Sequence, residues 1–463
     1  TDDNYGIGEG LTFHADADDN IALGENALNS TTGNADYNIG IGTDALTALT
    51  LGVRNVAIGY NAMLLNIEGD DNIAIGYAAM DSMVGETIED NVGDANIAIG
   101  SNAMGAVNAG GNSASLSDSN IAIGVNALLG GTFGDGEIKD LQGNIAIGHQ
   151  AFDGTGTNAQ TGTIAIGYQA LTAVQSGSDN TVIGYQGMLV ADGGETDNVC
   201  IGQKAMNGVN NDGAEQNVVI GSVAGQGGTG AMSDCVVIGY AAMNSTIGNA
   251  QDGTIAIGSS ALTALTSGAG NTAIGYQAGS LLVEGNYNTV LGYQAFDAGQ
   301  EDSRCVAIGY QALSTADVSD TGSAVNTNNT AIGYHAALSL TTGKDNTVLG
   351  SGAFQSAASP ASVGESDNIA IGVNAMSAVD EGTAGGDADY NIAIGNYALT
   401  GGDFAGNDRQ LTGNIAIGYQ ALDGTGTNEQ VGTIAIGYQA LTLNTDGEGN
   451  IAIGYQTLGA CTN

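Results

Sequence analysis

The sequence predicts an all-β protein: a parallel β-roll, or β-solenoid, of about 24 coils. Three observations predict it. First, the phrase Asn-Ile-Ala-Ile-Gly and its variants recur 24 times, each closing on a glycine, from Gly8 to Gly454. Second, the spacing between these glycines is never below 16 or above 24 residues, with 17 the commonest. A fixed motif with a variable spacer is the mark of a solenoid. Third, Gly numbers 77 and Pro only 1 in 463 residues. That suits many tight turns and an extended ladder that needs every N–H. One solenoid then accounts for residues 1–463, because coils add without a new core.

Within the motif, position 1 is Asn in 19 copies, replaced by Thr163, Thr254, Thr433, Cys235 and Cys305. Position 3 is Ala in 16 copies, and position 4 is Ile or Leu in all 24. Position 5 is always Gly, and position 8 is Ala in 21 copies. Positions 1 to 5 read as a strand, with side chains alternating between two faces. The glycine opens a turn where a Cβ would clash or φ is positive. Positions 8 to 12, such as residues 278–282, are expected to form a second short strand, and a second turn returns the chain. Recurrent Gly and the lack of an i, i+3, i+4 stripe argue against a helix. With about 4.8 Å per coil, 24 coils would reach on the order of 115 Å.

Size suggests which strand face is inside. Large positions 2 and 4 are expected to fill the interior, leaving small position 3 outside against another copy of the chain. The Asn row is expected to form a hydrogen-bonded amide ladder. Tyr holds position 6 in 12 copies, either covering the neighbouring coil, stacking on sugars or forming a seam between chains. Longer spacers enter after position 10, in coils spanning 76–148, 309–333 and 350–418, with the Gly, Asp, Asn, Ser and Thr content of loops. Residues 143–174 and 413–444 are nearly the same sentence, which points to duplication of a multi-coil block.

The charge narrows the function. There are 49 acidic residues against 6 Lys and Arg, a net charge of −43. Nucleic acid is not expected as a partner, since phosphate contacts need Lys and Arg. The acids suit a soluble, repulsive surface or bound cations. The candidate metal ligands are Asp70 with Asp71 and Asp387 with Asp389, acid pairs in Gly-rich turns that suit calcium. The pattern is not the Gly-Gly-x-Gly-x-Asp nonapeptide of calcium-binding rolls. No stretch of 18 apolar residues occurs, so no membrane span is expected. Thr1 is not followed by an apolar leader, which predicts a processed or excised form. Cys200, Cys235, Cys305 and Cys461 are too scattered for a metal motif and are expected to be small buried side chains. No catalytic residues stand out: His14, His149 and His335 lie in unrelated coils, and no cofactor motif appears.

Asn-Ile-Ala-Ile-Gly followed by Ala resembles the head repeats of trimeric autotransporter adhesins. The variant Asn-Thr-Ala-Ile-Gly-Tyr-Gln-Ala at 271–278, with relatives at 288–295 and 329–336, is similar to repeats of bacterial surface and phage tail-fibre proteins. The resemblance covers residues 4–463. It implies a left-handed roll, a homotrimer and an extracellular, cell-surface or virion-surface fibre or adhesin, and it brings no catalytic residues. The repeat departs from the adhesin unit in being longer. The expected function is therefore that of a structural, non-enzymatic fibre protein, with adhesion or receptor binding through its loops. The alternative is a phage-type fibre that binds or cleaves polysaccharide, and carbohydrate is the ligand class considered. A first coil, degenerate in sequence, that starts at Asn4, and a near-consensus last coil whose motif ends at Gly454 also suggest head-to-tail stacking into a filament.

Overall fold

A computed structural model describes residues 4–11, 13, 17–31, 33–82, 93–106, 117–130, 140–154, 159–173, 177–190, 194–209, 213–227, 232–245, 251–315, 325–355, 365–379, 388–401, 410–425, 429–444 and 448–459. Most of the long spacers, together with Asp387, His14 and Cys461, lie outside the described residues. The described chain is all-β, with no helix among those residues. It divides into two units, 1–234 and 235–463.

Each unit is a stack of coils carrying twelve main strands of three residues. In the first unit they run from Tyr5–Ile7 to Val218–Ile220, and in the second from Val236–Ile238 to Ile451–Ile453. Within each unit every main strand pairs in parallel with the next, position on position, as Thr289↔Val306, Val290↔Ala307 and Leu291↔Ile308 show. Like residues therefore form straight rows, and an interior strand meets a neighbouring coil on both sides.

Among the described residues the expected second strand over positions 8–12 is absent. That limb is a turn-rich arc, held from coil to coil by backbone bonds such as Leu28 N to Ala45 O at 3.0 Å and Met63 N to Ala79 O at 2.9 Å. Its backbone explains the difference. Each coil bends through three left-handed residues: the one before the motif Asn, then positions 7 and 9. Arg54, Asn61 and Met63, with φ of 59°, 56° and 50°, are one such set. Alternating αL residues cannot build a pleated strand. Six two-residue strands do lie on the returning limb. Leu141–Gln142 with Gln160–Thr161, and Leu411–Thr412 with Gln430–Val431, occupy equivalent places in the near-duplicate blocks.

Position 7 shows what the αL backbone costs. Asn, Asp or Gly fits it best, yet Val223 sits there at φ 52°, half-exposed. Val223→Asn is expected to stabilise the first unit by about 1 kcal/mol, read as a higher urea midpoint at unchanged slope. An unchanged or lower midpoint would show that Val223 is held by packing instead.

The two strand faces are the reverse of the size-based expectation. Position 3 points inward: Ala307 and Val290 are 0% and 1% exposed, whereas Leu291 at position 4 is 45% exposed. The reason is where the large interior residue comes from. Phe152, Phe296, Phe354, Leu28, Leu46 and Met63 are among the largest fully buried side chains, and all occupy position 9 on the arc. One such side chain in most coils, with Gly225, Gly279 and Ala337 as exceptions, fills a narrow interior and leaves room opposite it only for Ala, Gly, Val or Cys.

Candidate functional site

The residues left outside define the surface features. Positions 2 and 4 form two parallel rows of Ile, Val, Leu and Thr on the outer side of the strands. Ile183, Ile274 and Leu349 are 37%, 36% and 46% exposed. No charged residue occurs at positions 1 to 5 of any copy in a chain of net charge −43. This is an apolar face larger than isolated surface hydrophobics explain.

Beside it, past the glycine corner, stands a row of aromatic rings at position 6. The rings stack on one another across coils. Tyr276, Tyr293, Tyr310 and Tyr334 follow at centroid distances of 5.1, 5.3 and 5.3 Å with interplanar angles of 17°, 5° and 13°. His149, Tyr168 and Tyr185 stack at 5.3 Å, as do Tyr419, Tyr438 and Tyr455. Covering the neighbouring coil, one of the expected roles, is thus met by ring-on-ring stacking. A glutamine ladder runs alongside at position 7. Gln294 Nε2 donates to Gln277 Oε1 at 2.8 Å and Gln311 Nε2 to Gln294 Oε1 at 3.1 Å.

The expected asparagine ladder is present inside the coils. Asn55 N and Nδ2 both donate to Asn38 Oδ1, at 2.8 and 3.2 Å, while Asn55 Nδ2 also donates to Gly69 O at 2.7 Å. All three contacts tie one coil to the next, so the row is structural. Cys235 and Cys305 replace Asn in this row and Cys200 replaces Ala at position 3, all three buried. Burial pushes the Cys305 thiol up to about 12 and the Cys200 thiol higher still. Neither supplies a thiolate nucleophile at neutral pH.

The candidate metal ligands have other partners. Asp71 takes a bidentate contact from Arg54, with Nε to Oδ1 at 2.6 Å and Nη2 to Oδ2 at 2.7 Å. That guanidinium holds the Asp71 carboxyl below the usual carboxylate range. Asp70 Oδ1 accepts from Val53 N at 2.8 Å, and Asp389 Oδ1 accepts from Ser366 N at 2.7 Å. Asp387 lies outside the described residues. Among those residues no group of three or more His, Cys, Asp or Glu is placed to hold a metal ion.

These contacts reveal a device not read from the sequence, an acceptor two residues before the motif Asn that caps the coil below. Asp70 N donates to Asp94 Oδ1, and Asp94 N to Asp118 Oδ1, both at 2.8 Å. The signal was the recurrence of Asp, Ser, Thr or Asn at that place, as in Asp18, Asp36, Ser178 and Asn286. In the middle of the row, partial burial holds the Asp94 carboxyl above its ordinary value, and the charges of Asp70, Asp118 and Asp71 add to this. A raised folded pKa means that the folded form binds the proton more tightly. Ionised Asp94 therefore destabilises the fold, and stability rises as pH falls through that pKa towards the ordinary carboxylate value. Asp94→Asn, which keeps the acceptor oxygen, is expected to be more stable than the parent at pH 7, by a margin that shrinks as the pH falls and the parent gains a proton. A stability difference that does not change with pH would show that charge is not the cause.

No helix among the described residues is long and apolar enough to cross a membrane. No protein-family model, no curated protein and no solved structure matches the chain.

Proposed function

We propose that the chain is a structural, non-enzymatic fibre protein of a cell or virion surface that assembles side by side with copies of itself, as a homotrimer, through the aliphatic face. One observation carries this reading: on a chain of net charge −43, the described strands turn outward a periodic double row of Ile, Val, Leu and Thr that holds no charged residue. Like-charged copies repel everywhere else, so close approach is cheapest there. A second copy also brings rows of identical period, so side chains interlock over the whole ladder. A partner of any other period drifts out of register.

The expected particle mass is three times the 45.8 kDa of one chain. Assembly should tighten as salt screens the mutual repulsion, opposite to an interface held by ion pairs. Ile274→Asp with Ile308→Asp should give single chains with an unchanged far-UV spectrum. Thr at the same two sites, a residue already used at position 2, should assemble more weakly but still fold. A parent protein that stays a single chain at micromolar concentration would overturn the reading.

The second reading, a fibre that binds polysaccharide, is favoured by the tyrosine and glutamine ladders. Cleavage has no comparable support.

A further inference from the structure

We propose that the paired Tyr–Gln ladders are binding rails for an uncharged, unbranched β-1,4-linked glycan lying parallel to the ladder, one sugar per coil. The inference rests on the polysaccharide-binding reading and supplies it with a site and a ligand class.

The pairing of the two residue types is the first argument. Position 7 needs an αL residue, and coils with no aromatic at position 6 often use Asn, as at Asn26, Asn102, Asn126 and Asn374. Gln is less suited to αL than Asn. It nevertheless takes position 7 in nine coils, and in each the residue before it is Tyr or His. Other side chains that suit αL poorly, such as Lys204, Val223 and Ser260, also occur at position 7 without an aromatic neighbour, but Gln is used there only beside an aromatic ring. Ring stacking alone does not require this: Tyr60 and Tyr77 stack at 5.5 Å with Asn61 and Ala78 following them.

The chemistry on offer is the second argument. Each glutamine inside a ladder donates one N–H to the glutamine of the preceding coil and accepts at Oε1. A second N–H and a second lone pair remain on the same amide. Each tyrosine is half-exposed and brings a hydroxyl that both donates and accepts. A rung therefore offers donors and acceptors beside an apolar ring, which is the complement of a sugar.

Spacing selects the polymer. Rungs repeat every 5.1 to 5.3 Å from Tyr276 to Tyr334, and the distance holds even where a 24-residue coil separates Tyr310 from Tyr334. An extended polypeptide advances about 3.3–3.6 Å per residue and falls out of step. Nucleic acids and polyuronates are repelled by the net charge of −43. An extended β-1,4-linked hexose chain advances by nearly one rung per sugar. Its alternate sugars are flipped, and a rung with both donors and acceptors tolerates either orientation.

The test titrates the full chain calorimetrically with cellohexaose and chitohexaose, with maltohexaose and a hexauronate as controls. At least one β-1,4 hexamer should bind, and neither control should. Affinity should rise with length up to the trimer, the three Tyr–Gln rungs of 276–311, with at most a small further gain at the tetramer, because the fourth ring, Tyr334, is followed by His335 and stacks with it. Tyr168→Ala, Tyr293→Ala and Tyr438→Ala together interrupt all three ladders and should weaken binding at least about ten-fold. The three Phe replacements keep the stacks without hydroxyls and should fall between, and Tyr60→Ala should bind like the parent. No binding of either β-1,4 hexamer at millimolar concentration, or equal binding by the triple Ala variant, overturns the proposal. So does a triple Ala variant that loses assembly while the parent binds no glycan, which would make the ladder a seam between chains. A parent that binds glycan as a single chain leaves this proposal standing and removes the homotrimer.

Discussion

Gly292→Ala is expected to unfold the coils around it, although the change adds one methyl group. A Cβ at Gly292 would lie 2.2 Å from the Gly309 carbonyl oxygen, at a φ of +143°. The oxygen is backbone in the next coil. That coil cannot retreat, because Gly309 N donates to Leu291 O at 2.8 Å, and Gly292 N donates to Ile274 O at 2.9 Å on the other side. The conformation is itself almost closed to residues with a side chain. Steric overlap and backbone strain together should exceed about 4 kcal/mol. In a stack stabilised by neighbour contacts, the loss falls on the two adjoining interfaces first. Limited proteolysis should therefore cut near residues 275–309 while the far coils stay protected. Gly413→Ala separates the two causes. Its φ is +69°, but nothing lies within 4 Å of the added Cβ. It should cost only the αL penalty of about 1–2 kcal/mol. Equal losses at the two glycines would show that φ, not the approach of the coils, makes the motif glycine invariant.

How much of this was legible depends on which property the repeat encodes. The motif glycine, the parallel stacking and the Asn ladder each follow from one residue type held at one position. Which strand face lies inside does not follow in that way. Alternation defines two faces without saying which is covered, and size pointed to the wrong one. The needed signal was compensation between positions. Where position 3 is Gly6, position 8 is Leu11, whose Cδ1 would lie 2.9 Å from an added Cβ. Where position 3 is Val182, position 8 shrinks to Gly187, and a Cβ there would lie 2.7 Å from Val182 Cγ1. Val219 pairs in the same way with Gly225 at position 9, at 3.1 Å. Such trades occur only between side chains sharing one packed interior. The second strand was misread because a short apolar run at positions 8 to 12 does not reveal that positions 7 and 9 are αL corners, recurring among the described coils. The aliphatic face became visible only once position 3 was seen to be buried. The tyrosine rings were legible as a row, but their stacking on each other needed the register.

Asn72→Ala is expected to be a severely damaging truncation of a buried polar side chain inside the first unit. Asn72 is fully buried and binds two coils. Its Nδ2 donates to Gly93 O at 2.6 Å, while its Oδ1 accepts from Asn96 N at 2.9 Å and Asn96 Nδ2 at 3.2 Å. Truncation leaves the Gly93 carbonyl and the Asn96 backbone N–H without these partners. Each buried polar group stranded in this way costs about 1–3 kcal/mol, so a loss of roughly 3–5 kcal/mol is expected. Replacement by Leu should not rescue it, because volume is restored and hydrogen bonds are not. Thr should recover part of it. The chain itself uses Thr at this position, and Thr254 Oγ1 reaches the equivalent carbonyl of Gly268 only at 3.5 Å. Thr also interrupts the ladder: Thr163 N donates to Asn144 Oδ1 at 3.0 Å, and the amide-to-amide pattern resumes from Asn180 to Asn198. The order of stability should therefore be Asn, then Thr, then Ala and Leu together. Urea melts give the order, and hydrogen exchange locates it, since the Asn96 amide should lose protection before amides several coils away. If Asn72→Ala costs no more than a surface change, about 0.5 kcal/mol, the buried amide row is not what locks one coil to the next.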